Sequence, residues 1–197
     1  MTLVLASRSP QRSAILAALG VQFAVRPSAF PEATEGDPER VAQANALGKA
    51  RAVARAQGEV VLGVDTVVAL DGRLYDKPPD EARARETLRA LAGATHTVVS
   101  GLALVGDGEP LTGTAATAVT FRALDAATIE WYLATGEWRE RAGGYAIQGA
   151  GCALVEAIAG DWTNVVGLPV AKLLNLYPSL MVGNNRATPA DPRKLQR

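Results

Sequence analysis

One carboxylate stands in a segment whose other residues are suited to burial. Asp65 lies between Val64 and Thr66 in the β-prone stretch of residues 60–70. Removing a carboxylate from water is costly unless the group is paired, hydrogen-bonded or bound to a metal ion. We therefore interpret Asp65 as a functional residue. The alternative is a structural carboxylate that accepts backbone hydrogen bonds at a strand end.

A second candidate is the segment of residues 7–12, Ser-Arg-Ser-Pro-Gln-Arg, which follows a short apolar strand and opens a helix. Serine hydroxyls, arginine side chains and the free N–H groups of a helix start together suit phosphate binding. The alternative is an ordinary helix capped by serine, with solvated arginines, and the segment taken alone favours it. A P-loop is excluded because its glycines and its Gly-Lys-Ser/Thr ending are absent.

Other polar candidates are scattered along the chain. Lys49 lies four residues after Asn45, so both side chains point to one face of a predicted helix. Lys77 follows a predicted hairpin, and Glu32 lies in a polar loop. Each of these charges, taken alone, is also typical of a solvated surface.

The glycine-rich segment of residues 143–149 carries one amide side chain. Gln148 both donates and accepts hydrogen bonds, which suits reading the edge of a nucleotide base, although a glutamine in a turn is the simpler alternative. His96 and Ser100 do not indicate a serine hydrolase, because no Gly-x-Ser-x-Gly motif is present.

The elements that must position these residues are marked by capping and turn residues in the first half of the chain. The predicted elements are a strand at 3–6, a helix ending at Gly20, a helix opening at Asp37-Pro38 and running past Lys49, and a hairpin of strands 60–70 and 73–75 around Asp71-Gly72. This alternation of strands and helices is typical of an α/β protein.

The second half continues the same mixture. The predicted elements are a helix from Asp80 to Leu91, a long hairpin of strands 96–105 and 111–121, a helix after Asp125, a strand at 152–158 and a helix from Pro169 to about Leu176. Cys152 is predicted to be a small core residue of its strand. Residues 179–197 lose periodicity and are predicted to form a mobile tail after a domain of residues 1–178. The whole predicts an α/β or α+β fold with a mixed sheet.

Composition narrows the classes of function. Lys plus Arg and Asp plus Glu both total 20, so no general attraction to nucleic acid or anionic lipid is expected and any anion site must be local. No apolar run approaches the length of a membrane span and no signal peptide is evident, so we expect a cytoplasmic protein. The single histidine, His96, and the single cysteine exclude the usual zinc sites, which leaves hard ions held by oxygen.

Read together, these segments resemble the Maf family over residues 3–176. The resemblance rests on LASRSPQR, NALGKA, GVDTVV, DKPPDEARARETLRALAG, TFR, GEWRERAGGYAIQGAG and NVVGLP. No single motif decides it, but their order and spacing are highly specific.

The resemblance implies a two-lobed single domain around a central cleft, similar to the inosine triphosphate pyrophosphatase fold. It also implies hydrolysis of nucleoside triphosphates, in the dTTP and UTP branch, to monophosphate and pyrophosphate. By position, Asp65 is the proton acceptor, and Arg12, Thr66 and Gln148 match positions of substrate selection. Ser7, Glu32, Lys49 and Lys77 match other cleft positions. This sequence departs from the family pattern at two places. Gln11 stands where the family usually has the first arginine of a pair, and Glu140-Arg141 stands where Asp-Lys is common.

The phosphate chemistry suits these residues. Arg12, Lys49 and Lys77 supply positive charge, and Glu32 and Asp65 offer oxygen ligands for Mg²⁺ or Mn²⁺. Whether Asp65 is base or metal ligand stays open at this point. Two alternatives are a regulatory protein that inhibits septum formation and a purine-directed house-cleaning pyrophosphatase. The resemblance also makes a homodimer possible.

Overall fold

The computed structural model describes residues 2–182 as one sheet flanked by helices. The strands are β1 Thr2–Leu5, β2 Phe23–Val25, β3 Glu59–Leu70, β4 Arg73–Tyr75, β5 Thr95–Val105, β6 Leu111–Phe121 and β7 Val155–Ala159. The helices are α1 Pro10–Ala18, α2 Pro38–Arg51, α3 Glu81–Leu91, α4 Ala126–Thr135, α5 Trp162–Val166, α6 Val170–Leu176 and α7 Ser179–Val182, with 3₁₀ helices at Ala142–Gly144 and Ala150–Leu154.

The sheet is mixed, as predicted. Its strand order is β2-β1-β3-β5-β6-β7, and β4 pairs with the far end of β3. Strand β1 runs parallel to both β2 and β3, whereas the pairs β3–β5, β5–β6 and β6–β7 are antiparallel. The α/β fold class with a mixed sheet is therefore confirmed.

The long strand β3 joins the two lobes. On one of its edges, β1 pairs with residues 59–62 and β4 pairs with residues 68–70. Within the described residues, no strand pairs with this edge at residues 63–67, and that gap opens the sheet. One hydrophobic core packs around α3 and α4, and two others pack around α1, α2 and α6. The structure thus has the predicted cleft between two lobes.

Helix α2 lies unusually close to the sheet because two glycines face it. A Cβ atom built on Gly63 would lie 2.0 Å from the backbone oxygen of Ala46, and one built on Gly101 would lie 2.1 Å from that of Ala42. Any side chain at either position would push the helix outward. The two glycines therefore set the distance between α2 and the sheet, and with it the positions of the α2 side chains that face the sheet.

The predicted caps and hairpin turn are confirmed. Asp37, Asp80 and Asp125 each accept a hydrogen bond from a backbone N–H in the first turn of the following helix. Asp71 and Gly72 both have positive φ, 51° and 77°, as the tight turn between β3 and β4 requires.

Four details differ from the sequence predictions, and the first is strand β2, which was not predicted. Cys152 is exposed in a 3₁₀ helix rather than buried in a strand, because the chain turns at Gly149, whose carbonyl accepts from the Cys152 N–H, before β7 begins at Val155. Helix α5 was not predicted. Residues Ser179–Val182, the start of the predicted tail, form α7 with Leu180 buried, and residues 183–197 lie outside the described residues. Between residues 2 and 182, no helix is long and apolar enough to cross a membrane.

Candidate active site

Asp65 lies in the middle of β3, beside the gap in the sheet. Its backbone pairs with Gly101 of β5, and its side chain shares a face with Gly63, two residues earlier, which is the face that α2 covers. Only 4% of the residue is exposed. Its Oδ1 lies 2.6 Å from Lys49 Nζ, and its Oδ2 accepts from Asn45 Nδ2 at 3.0 Å. The burial predicted for this carboxylate is therefore confirmed, and its partners are an ammonium and an amide.

Lys49 connects two carboxylates. Its Nζ lies 2.6 Å from Asp65 and 2.9 Å from Oε1 of Glu32, which comes from the loop before α2. Asn45, one turn earlier on α2, holds the same loop through both its amide N–H and its amide oxygen, which bond to the backbone of Ala33. The shared face predicted for Asn45 and Lys49 thus anchors both the loop and Asp65.

Arg12 ties three separate segments together on the other side of β3. Its Nε donates to the Gly167 carbonyl at 2.8 Å, its Nη1 to Ser7 Oγ at 2.9 Å and its Nη2 to Thr66 Oγ1 at 3.1 Å. The guanidinium therefore joins the start of α1, β3 and the turn after α5. A lysine has neither the planar fork nor enough donors placed to make all three bonds at once.

Ser100 is a polar residue at the site that the sequence prediction missed. It pairs with Thr66 across β3 and β5, it is fully buried, and its Oγ lies 2.9 Å from Thr66 Oγ1. Burial lowers the pKa of the Arg12 guanidinium below its ordinary value, and the charges of Asp65 and Glu32 act in the opposite direction. Arginine stays protonated at neutral pH even so, which keeps a positive charge beside the hydroxyls of Ser7 and Thr66.

Apart from the fully buried Ser100, these side chains line a cleft of two parts that share several residues. The larger part has a volume of about 600 Å³, which suits a nucleotide-sized ligand. The smaller, of about 60 Å³, reaches Asp65 and Asn45. Residues that line both parts are Arg12, Glu32, Lys49, Thr66 and Lys77. These five residues therefore form the boundary between the two parts.

The sequence-predicted residues are largely brought together. Those that line the cleft are Ser7, Arg12, Glu32, Lys49, Asp65, Thr66 and Lys77. Ser9 also caps α1 with its hydroxyl, so residues 7–12 combine a capped helix start with a place in the larger part of the cleft. The serine cap of the alternative interpretation is therefore present, but Arg12 is not simply solvated, and phosphate binding by this segment stays a prediction.

Gln148 is the exception, because it is exposed and lines neither part of the cleft. The Gly149 N–H bonds to the Ala146 carbonyl and closes a turn in which Ala146 and Ile147 are buried. Burying these two apolar neighbours directs Gln148 toward solvent. The structure therefore does not place Gln148 with the other predicted residues, and its role in selecting a base stays a prediction.

His96 lies outside the cleft, beside the hydrophobic core that packs around α3 and α4. Its Nε2 lies 2.8 Å from the Tyr145 hydroxyl, and its ring meets Phe121 edge to face. Burial lowers the pKa of His96 to about 4. Among the described residues, the His96 ring makes no hydrogen bond with Ser100. This geometry agrees with the prediction that the chain has no serine hydrolase triad.

The donor atoms around Lys49 fit a hard divalent ion only in part. Glu32 and Asp65 place carboxylate oxygens around one ammonium. Among the residues that the structure describes, no group of three or more His, Cys, Asp or Glu side chains suits a metal ion. Mg²⁺ is commonly held by one or two carboxylates together with substrate phosphates and water. The two carboxylates therefore suit an ion that binds together with a triphosphate.

Comparison with known proteins settles the family. Residues 2–180 match the model of the family described as Maf-like protein. The chain belongs to the Maf family. The predicted resemblance is therefore confirmed, and it covers nearly all of the described residues.

Several similar Maf relatives carry the name dTTP/UTP pyrophosphatase. The relative from Gloeobacter violaceus is 47% identical over 177 residues, which cover 88% of this chain and 93% of the relative. The relative from Thermococcus gammatolerans is 45% identical, with 85% and 91% covered, and that from Deinococcus radiodurans is 45% identical, with 88% and 90% covered. Each of these three relatives therefore matches at least 85% of this chain and at least 90% of its own length.

Proposed function

We propose that this chain is a nucleoside triphosphate pyrophosphatase that hydrolyses dTTP and UTP to the monophosphate and pyrophosphate. The observation that carries the proposal is the buried carboxylate of Asp65, held at the cleft by Lys49 and Asn45. Membership of the Maf family and the names of its similar relatives support the same activity.

Asp65 accepts the proton of the attacking water. Each carboxylate oxygen has two lone pairs, so the bonds to Lys49 and Asn45 leave one lone pair on each oxygen for water or for a metal ion. The water oxygen attacks the α-phosphorus, its proton passes to Asp65, and the bond from the α-phosphorus to the bridging oxygen breaks. Pyrophosphate leaves with the electron pair of that bond. Lys49 and Asn45 hold the carboxylate in one orientation throughout.

Cationic side chains lower the repulsion between water and the anionic phosphates. Arg12 stands at the start of α1 and Lys77 lines both parts of the cleft, where its only close carboxylate among the described residues is Glu140 at 3.9 Å. Charge that moves to the leaving pyrophosphate is stabilised by such fixed cations, which cost no reorganisation during the reaction.

A divalent metal ion, Mg²⁺ or Mn²⁺, is part of the proposal. Glu32 and Asp65 would hold it together with the substrate's phosphates. Such an ion supplies positive charge that stabilises the transition state of phosphoryl transfer.

The pyrimidine preference rests on the relatives named dTTP/UTP pyrophosphatase and is favoured over a purine-directed enzyme for that reason. The catalytic arrangement around Asp65 likewise favours an enzyme over a regulatory protein that only inhibits septum formation. A homodimer and a cytoplasmic location stay predictions from the sequence.

The test is a substrate panel on one preparation. We expect kcat/KM for dTTP and UTP to exceed the values for dATP and GTP by at least about tenfold, the scale on which pockets separate bases of different size and edge pattern. CTP is expected to be a weaker substrate. A purine triphosphate that wins by tenfold would refute the preference, and absence of pyrophosphate release from every nucleotide would refute the activity.

The same panel on Gln148→Ala tests the amide. A changed ranking of the bases would assign base selection to Gln148 despite its exposure in the structure. An unchanged ranking would remove Gln148 from base selection, while the reaction itself would stand.

A further inference from the structure

Arg141 lines the larger part of the cleft, beside the start of α1. It follows Glu140, whose φ of 58° is the left-handed conformation that non-glycine residues seldom adopt. Its Nη1 donates to Gln11 Oε1 at 2.7 Å, and the same oxygen accepts from Ser9 Oγ at 3.2 Å. A neutral amide on the first turn of α1 therefore holds this guanidinium in place.

Within residues 2–182, Arg141 makes no salt bridge, although the charge of Glu137 acts on Tyr132 together with that of Arg141. Lys49 contacts Glu32 and Asp65, whereas the described partner of Arg141 is the uncharged Gln11. In addition, Arg141 Nε is buried and has no hydrogen-bond partner among the described residues. A buried donor of a charged group without an acceptor is costly. Nε is too deeply buried to face the cleft, but Nη2 also makes no hydrogen bond among the described residues and is not one of the fully buried atoms, so it is the donor that an anion in the cleft would meet.

We propose that Arg141 is a further substrate-binding residue that contacts the triphosphate chain, and that Gln11 positions it. The inference rests on the proposed function for the identity of the anion. A guanidinium offers phosphate oxygens a planar fork of donors. Because Gln11 is neutral, it orients the fork without cancelling its charge, which a glutamate at the same position would do.

Binding of inorganic tripolyphosphate, measured by titration calorimetry at fixed ionic strength, tests the inference without turnover. We expect Arg141→Met to weaken binding by at least about tenfold, the value of one charge-assisted hydrogen bond. Arg141→Lys should recover most of that loss, and Gln11→Glu should weaken binding although Arg141 is intact. The matched control is Arg139→Met, an exposed arginine that stacks on Trp138 outside the cleft and should bind as the wild type does.

Activity on UTP separates the inference from the proposed function. We expect Arg141→Met to raise KM more than it lowers kcat, because the contact exists before the chemical step. Melting temperatures of all variants check that the fold is retained.

Wild-type affinity in Arg141→Met would overturn the inference, as would a wild-type protein that does not bind tripolyphosphate. Equal losses in Arg141→Met, Arg141→Lys and Gln11→Ala would also overturn it, since they would indicate a structural tether rather than a charge. A wild-type protein that binds tripolyphosphate through Arg141 but hydrolyses no nucleotide would refute the proposed function and leave the anion-binding role of Arg141 supported.

Discussion

The substitution Gly63→Ala tests whether the close packing of α2 against the sheet sets the geometry of the active site. The added Cβ would lie 2.0 Å from the Ala46 backbone oxygen and 2.9 Å from the Ala50 Cβ. An ordinary non-bonded separation is about 3.5 Å, so the helix backbone must retreat by more than about 1 Å. Neither neighbour is the end of a flexible side chain, and the strain cannot be relieved by a change of rotamer.

Two losses follow from that displacement. Overpacking of this kind costs about 1–3 kcal/mol, and we expect the upper end because the clash is with backbone. Lys49 lies on the displaced helix, so its 2.6 Å contact with Asp65 lengthens. A misplacement of about 1 Å at a catalytic group can reduce turnover by about a hundredfold.

Urea denaturation gives the free energy of unfolding, and pyrophosphate release from UTP gives turnover. The matched control is Gly108→Ala, in the turn between β5 and β6, where an added Cβ meets no atom within 4 Å. A Gly63→Ala protein as stable and as active as Gly108→Ala would refute the reasoning. A Gly63→Ala protein that is stable but inactive would show that the displacement of Lys49 reduces turnover independently of any loss in the free energy of unfolding.

Three further perturbations have expected outcomes. Burial lowers the pKa of His96 from 6.5 to about 4, so the unfolded chain takes up a proton at a higher pH than the folded protein does. The free energy of unfolding should therefore fall by up to about 3 kcal/mol as the pH decreases from 6.5 to about 4. Urea titrations at each pH should show that His96→Phe abolishes this dependence. Arg12→Lys should reduce kcat/KM for UTP by about tenfold or more, because lysine cannot replace three directed hydrogen bonds, and an unchanged value would contradict this. Dialysis against a chelator should abolish turnover until Mg²⁺ or Mn²⁺ is added, whereas full activity without metal would exclude the proposed ion.

Local chemistry explains what the sequence predicted well. The caps Asp37, Asp80 and Asp125 and the turn at Asp71-Gly72 depend on residues next to one another in the chain, so their conformations are visible without the fold. The cost of burying Asp65 is visible in the same way, because its apolar neighbours predict a buried strand.

Contacts between distant segments could not be predicted from local sequence. Ser100 reaches the site only because β3 and β5 pair in the register that sets it against Thr66. The roles of Gly63 and Gly101 depend on where α2 crosses the sheet. Cys152 is exposed because glycine-rich residues form a 3₁₀ helix where an apolar pattern indicated a strand.

Hydrolysis of UTP by the wild type and by Asp65→Asn tests the central claim most directly. Asparagine preserves the shape of the side chain and removes its charge and basicity. With Mg²⁺ present, we expect the wild type to release UMP and pyrophosphate in equal amounts, and a folded Asp65→Asn protein to turn over at least about a hundredfold more slowly, the scale of a lost general base. Release of UDP and orthophosphate, or near-normal turnover by Asp65→Asn, would contradict the account.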